Sequence, residues 1–206
     1  MDKPHGIKAV LFDFDGTLVH LPIRYAVIRK RLAELFMSQG SFHPLMDGIR
    51  RSLRRLKESE RRRMRKKAWE ILDEEELRSA SEAVVWAGVL DVLQCLKMDG
   101  LKLGIVSSNG SKVIRSVMRR MGFPNFDAVV GRDEVDKWKP DPEGVEKAVK
   151  KIRIPKRDVL FVGDRPSDRE ACARADVRFL LAGISADRLT AGAGTPRRLL
   201  KIVRQR

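Results

Sequence analysis

The chain reads as an α/β protein: a parallel sheet covered by helices on both faces, with a block of helices inserted after the first strand. Three observations predict this. The apolar run Ile7-Lys8-Ala9-Val10-Leu11-Phe12 is short, rich in strand formers and closed by an Asp-Gly turn, as a buried strand should be. From Gly88 onward, single apolar strands alternate with single helical segments, the pattern of βαβ units and a parallel sheet. Residues 18–87, between these two regions, carry helical periodicity.

Within the insertion the spacing predicts helices over Ile23–Met37, Pro44–Leu56, Glu60–Leu72 and Asp73–Val85. Ile49, Leu53 and Leu56 share one helical face, as do Met64, Ala68, Ile71 and Leu72, while arginines and lysines cover the other faces. Gly40, Ser41 and Pro44, and then Gly88, supply the breaks. After them come a helix over Val89–Met98 closed by Asp99-Gly100, a strand over Leu101–Val106, and a helix over Ser111–Met121 closed by Gly122. Strand Ala128–Val130, helix Pro142–Lys151, strand Val159–Val162, helix Ser167–Ala175, strand Val177–Leu181 and a basic helix over Pro196–Arg204 complete the series, with Ala191–Thr195 expected as a loop. Residues 1–17 and 88–206 thus form a discontinuous core, and residues 18–87 a helical domain inserted at the end of the first strand, where it is expected to act as a lid.

The composition narrows the class. At 206 residues and 43% hydrophobic content the chain can bury a real core, and no run has the apolar length of a membrane span. The stretch after Met1 is too short and too charged, with Lys8 and Asp13, for a secretory signal. Cys95 and Cys172 fall on separate predicted helices without metal-type spacing, so a reduced, cytoplasmic setting is expected. The net charge of +15 and pI near 10.3 attract anions: phosphorylated metabolites, nucleic acid or an acidic membrane surface. Solvated helix faces account for the same charge without a partner. Only five Asn and Gln residues occur beside 34% charged residues, a composition that resembles thermophile proteins.

The chemistry collects at strand ends, where open α/β sheets place their ligands. Asp13 and Asp15, in Asp13-Phe14-Asp15-Gly16-Thr17, are two carboxylates one residue apart. They would repel unless a cation or a proton offsets the charge, so the pair is a metal site, an acid/base pair, or both. A plain Asp-Gly turn explains Asp15 and Gly16 but leaves Asp13, a poor strand residue, unexplained. The second core strand ends in Ser107-Ser108-Asn109, which suits anion binding at the next helix and suits N-capping equally. Lys139, held out of helical geometry by Pro140, can reach inward as a point charge for phosphate, or lie on the surface. Asp164 and Asp168 follow the fourth strand as a second acid pair, an oxygen-rich set that suits Mg²⁺, although Asp168 also fits a helix cap. Each motif alone is an ordinary turn. Acid pair, hydroxyl, lysine and acid pair delivered in order to one edge of one sheet are not.

This ordered set resembles the haloacid dehalogenase (HAD) superfamily of phosphohydrolases, and the resemblance runs from the first strand to the fifth. Asp13–Thr17 stands as DxDGT, Ser107 closes an apolar strand, Lys139 lies in Lys-Pro-x-Pro, and Gly163-Asp164 with Asp168 forms GDxxxD. The resemblance implies a Rossmann-like core with sheet order 5-4-1-2-3 and an inserted helical cap. It implies Asp13 as the nucleophile, Asp15 as the acid/base with its backbone carbonyl on the metal, and Ser107 and Lys139 as phosphoryl ligands. Ser108 and Asn109 join them in substrate binding, and Asp13, Asp15, Asp164 and Asp168 form the Mg²⁺ site. Asp15 argues against the dehalogenases, which need no acid there. The Asp13–Arg24 segment is similar to phosphoglycolate-phosphatase-type members, except that His20-Leu21-Pro22 replaces their usual Asp-Ser-type pair, which leaves the substrate open.

The expected function is therefore a Mg²⁺-dependent phosphatase for a small phosphorylated metabolite. Two other readings compete. Arg61-Arg62-Arg63-Met64-Arg65-Lys66-Lys67 suggests nucleic acid or an acidic partner, but only Trp69 and Trp86 lie nearby for stacking and acids follow closely, so nucleic acid is not expected. A phosphomutase would use the same core, yet Tyr25 stands where the mutases' cap histidine is expected.

Overall fold

The computed structural model describes residues 6–38, 40–182 and 194–204. Five short strands form one parallel sheet: β1 (Ala9–Phe12), β4 (Lys102–Val106), β5 (Ala128–Val130), β6 (Val159–Gly163) and β7 (Arg178–Leu181). Their order is β5-β4-β1-β6-β7. Numbering only these five, and reading from the far edge, gives 5-4-1-2-3. The labels differ because two short strands, β2 (Val19–His20) and β3 (Val84–Val85), pair antiparallel in a separate ribbon that the sequence did not reveal.

β1 is the central strand, paired along its length with β4 on one side and β6 on the other. Burial on both faces explains its unbroken apolar run, the mark of a covered parallel sheet. Helices α4 (Val89–Met98), α5 (Ser111–Arg120), α6 (Glu143–Ile152) and α7 (Pro166–Ala175) connect the strands. On one face Leu11, Val106 and Phe161 pack with Val145, Ala148, Ala171 and Cys172 into a continuous core. A final helix, α8, runs Gly194–Arg204, so the expected loop Ala191–Thr195 ends inside a helix, its first three residues lying outside the described ones.

Two compact units result: residues 1–21 with 83–206, and residues 22–82. Residues 18–21 and 83–87, expected in the insertion, belong to the sheet unit because β2 pairs with β3. The second unit holds α1 (Tyr25–Leu35), α2 (Leu45–Arg54) and α3 (Glu58–Ala80). Here the sequence reading needs correction. Glu60–Leu72 and Asp73–Val85 are not two helices; α3 runs through both and stops at Ala80. No Gly or Pro interrupts it, and the acids at the expected break are used within the unit. Glu75, buried, accepts two hydrogen bonds from Arg24, at 2.8 and 2.9 Å. Ile28, Leu32, Ile49, Leu53, Ala68 and Leu72 form its apolar interior.

Candidate active site

The parallel register brings the carboxyl ends of β1, β4 and β6 level with one another. Asp13 follows β1 directly and its backbone N–H donates to the Val162 carbonyl at 2.9 Å, so it stays in line with the sheet. The chain then turns at Gly16, which sits at φ +92° and whose N–H donates to the Val19 carbonyl at 2.8 Å. That conformation suits glycine, since it carries no β-carbon penalty. A β-carbon there would also lie 2.5 Å from Asp164 Oδ2, so Gly16 is what lets the two acidic turns approach.

Lys139 is brought in from the segment between β5 and α6. Its Nζ donates to Asp13 Oδ1 at 2.8 Å and to the Val106 carbonyl at 3.1 Å, and pairs with Asp168 Oδ1 at 2.5 Å. All three side chains are nearly sealed from solvent. Burial by itself would lower the Lys139 pKa, but the charges of Asp13 and Asp168 outweigh it and hold the ammonium protonated. Asp168 also accepts from the Arg165 backbone N–H at 3.0 Å, which caps α7, so the expected cap is present alongside the contact with Lys139. Burial and the nearby Asp13 raise its carboxyl despite Lys139.

Asp13, Asp164 and Asp168 each offer an oxygen within 4.8 Å of the others. Burial first, and then the charge of Asp13, pushes the Asp164 carboxyl up to about 6. Three crowded carboxylates with one internal lysine leave an excess of negative charge that a hard cation would relieve, and an all-oxygen donor set is what Mg²⁺ accepts. The side chain of Asp15 lies outside this cluster; its Oδ1 accepts from the Leu21 N–H at 2.9 Å. Ser107 and Asn109 are buried, and Ser107 Oγ donates to Asn109 Oδ1 at 3.0 Å. Ser108 shows a different contact: its carbonyl accepts from Arg132 Nη1 at 3.1 Å. His20, exposed on β2, lies against Trp86 with ring centroids 5.9 Å apart.

Three residues escaped the sequence reading. Thr17 Oγ1 donates to Asp164 Oδ1 at 3.2 Å, tying the first acidic turn to the last; its place inside the quoted motif was the available signal. Arg132 is fully buried and braces the Ser107–Asn109 loop, its N–H donating to the Asn109 carbonyl at 3.1 Å. Nothing in the local sequence distinguishes it from a surface arginine. Arg165, next to Asp164, brings its guanidinium to 3.9 Å from Asp15 Oδ2.

A putative pyrophosphatase PpaX of Clostridium perfringens is 30% identical over 199 residues, covering 90% of this chain and 83% of that protein. Phosphoglycolate phosphatase 1 of Pseudomonas aeruginosa is 28% identical over 189 residues, covering 83% and 67%. The crystal structure of a putative phosphoglycolate phosphatase from Lactobacillus plantarum superposes with a TM-score of 0.65 at 23% identity, over 96% of this chain and 99% of that one, which shows a shared fold. The model of the haloacid dehalogenase-like hydrolases matches residues 10–182, from the first strand through the fifth. Strand order, acid cluster and family match agree: this chain belongs to the haloacid dehalogenase-like hydrolases.

Proposed function

We propose that the protein is a Mg²⁺-dependent phosphatase that hydrolyses a small phosphorylated metabolite through an aspartyl-phosphate on Asp13. The observation that carries the reading is the position of Asp13, which meets the Lys139 ammonium at 2.8 Å and the Asp164 and Asp168 carboxylates at the end of the central strand. An isolated structural lysine needs one buried counter-ion; here two acids, Asp13 and Asp168, pair with Lys139 and a third, Asp164, lies within 4.8 Å of both.

In this reading an Asp13 carboxylate oxygen bonds to phosphorus while the bond to the leaving oxygen breaks, its electron pair going to that oxygen. Asp15 delivers a proton to it. Asp15, now ionised, takes a proton from water as the water attacks the aspartyl-phosphate, releasing inorganic phosphate and restoring Asp13. Lys139 holds the phosphoryl oxygens and lowers the repulsion between a carboxylate and a phosphate dianion. Ser107 exchanges its bond to Asn109 for one to a phosphoryl oxygen, with Ser108 and Asn109 completing the cradle. Asp13, Asp164, Asp168 and the Asp15 carbonyl would hold Mg²⁺, which when bound supplies further charge neutralisation at the phosphoryl group. Asp168 also positions Lys139. Choice of the leaving group is assigned in this reading to the inserted helical unit, residues 22–82. The relatives' names favour pyrophosphate or phosphoglycolate as substrate.

Turnover of an aryl phosphate, measured with Mg²⁺ and with EDTA, tests the reading. Wild-type activity should require the metal, and Asp13→Asn should abolish it while the circular dichroism spectrum stays native. Full activity in the Asp13→Asn protein would exclude the proposed nucleophile.

A further inference from the structure

The site holds a second cation with a different character from the first. Lys139 is interior, with 5% of its side chain exposed. Arg165 is 52% exposed, and its guanidinium stands 3.9 Å from Asp15 Oδ2 and 4.0 Å from Asp164 Oδ2, on the side of the acid cluster that Lys139 does not reach. The two oxygens of Asp15 are also used differently. Oδ1 is held by the Leu21 N–H, whereas Oδ2 is the oxygen that faces Arg165. A leaving-group oxygen that takes a proton from Oδ2 therefore arrives beside the guanidinium.

We infer that Arg165 is a specificity-determining residue that recognises an anionic leaving group. The preferred substrates are then phosphate esters or anhydrides whose departing portion carries a carboxylate or phosphate of its own. This rests on the phosphatase reading above and narrows its substrate class. The chemistry suits the residue: a guanidinium is planar and always charged, and its forked N–H groups match a carboxylate or phosphate two at a time. As the phosphorus–oxygen bond breaks, the electron pair and the Asp15 proton go to the leaving oxygen, while the second anionic group stays on Arg165. About half of its side chain is exposed, at 52%, so such a ligand can reach the guanidinium from solvent. A merely charge-balancing arginine would affect all substrates alike.

The test compares kcat/KM for pyrophosphate, 2-phosphoglycolate and p-nitrophenyl phosphate in the wild type, Arg165→Ala and Arg165→Lys, all with Mg²⁺. Arg165→Ala should lower kcat/KM for at least one anionic substrate roughly tenfold to a hundredfold more than for the aryl phosphate, the scale of losing a charge-assisted contact. Arg165→Lys should fall between. A selective loss on pyrophosphate identifies a phosphate leaving group, and one on phosphoglycolate a carboxylate. Equal losses on all three, no loss, or a wild type that turns over the aryl phosphate but neither anionic substrate would overturn the inference. A wild type inactive on all three would overturn the phosphatase reading itself, a separate failure. Should Arg165→Ala not fold, the same substrate ratio in Arg165→Lys decides.

Discussion

Gly16 and Asp164 are packed so closely that any side chain at residue 16 collides: an added β-carbon would stand 2.5 Å from Asp164 Oδ2 and 2.9 Å from its Cγ. The same device recurs at Gly163, where a β-carbon would fall 2.6 Å from Asp168 Oδ2. Two glycines, one in the turn after β1 and one closing β6, thus set how near the carboxylates come.

Gly16→Ala should therefore separate the acid pairs while sparing the fold. The substitution strains a positive-φ position, costing roughly 1 kcal/mol, and pushes Asp164 away from Asp13. Mg²⁺-dependent turnover should drop by about two orders of magnitude, since a misplacement of about 1 Å is worth that much. A near-native melting curve with native-level activity would contradict this.

Lys139→Met should be more damaging to stability than an ordinary lysine replacement. It leaves Asp13 and Asp168 facing each other with almost no solvent, and breaking such a buried pair costs roughly 3–5 kcal/mol. Because lower pH protonates one of the carboxyls, the deficit against wild type should shrink as pH falls. Urea unfolding at two pH values measures both effects.

Asp164 makes the metal-free protein sensitive to pH. Its carboxyl stands at about 6 in the folded chain against 3.8 for an unperturbed aspartate. The folded state therefore binds the proton more tightly. This contribution to stability is complete below 3.8 and is lost as pH rises towards 6. In EDTA at pH 7.5, Asp164→Asn should be more stable than wild type, by at most about 3 kcal/mol, and the advantage should vanish near pH 4. Added Mg²⁺ should raise the melting temperature of the wild type and not of the variant. The opposite order in EDTA would remove the electrostatic account of the site.

The net charge of +15 should assist capture of anionic substrates. If it does, kcat/KM falls as ionic strength rises while kcat holds steady. A flat profile assigns the charge to solubility or thermal stability.

Much of this was legible beforehand because the signals are strand ends. Asp13, Ser107 and Asp164 each stand where an apolar run stops, and a parallel sheet forces such points together; Lys139 comes instead from the loop between β5 and α6, marked by the Pro140 that follows it. What stayed hidden depends on partners far away in the chain. The acids from Asp73 to Glu76 look like the start of a helix, yet Glu75 is buried against Arg24, 51 residues away, and α3 continues through them. The ribbon of Val19–His20 with Val84–Val85 is two residues wide on each side, too short for any periodicity. Buried Arg132 donates from its side chain to the Ser108 carbonyl and from its backbone N–H to the Asn109 carbonyl, partners more than twenty residues away that no local pattern encodes.

Because β1 is hydrogen-bonded along both edges, Asp13 cannot drift from its post by local fraying. The amides of Val10 through Phe12 should exchange with deuterium only when the whole sheet unit opens. Heat inactivation and global melting should then coincide, and proteolytic nicks at outlying loops should leave turnover largely undisturbed.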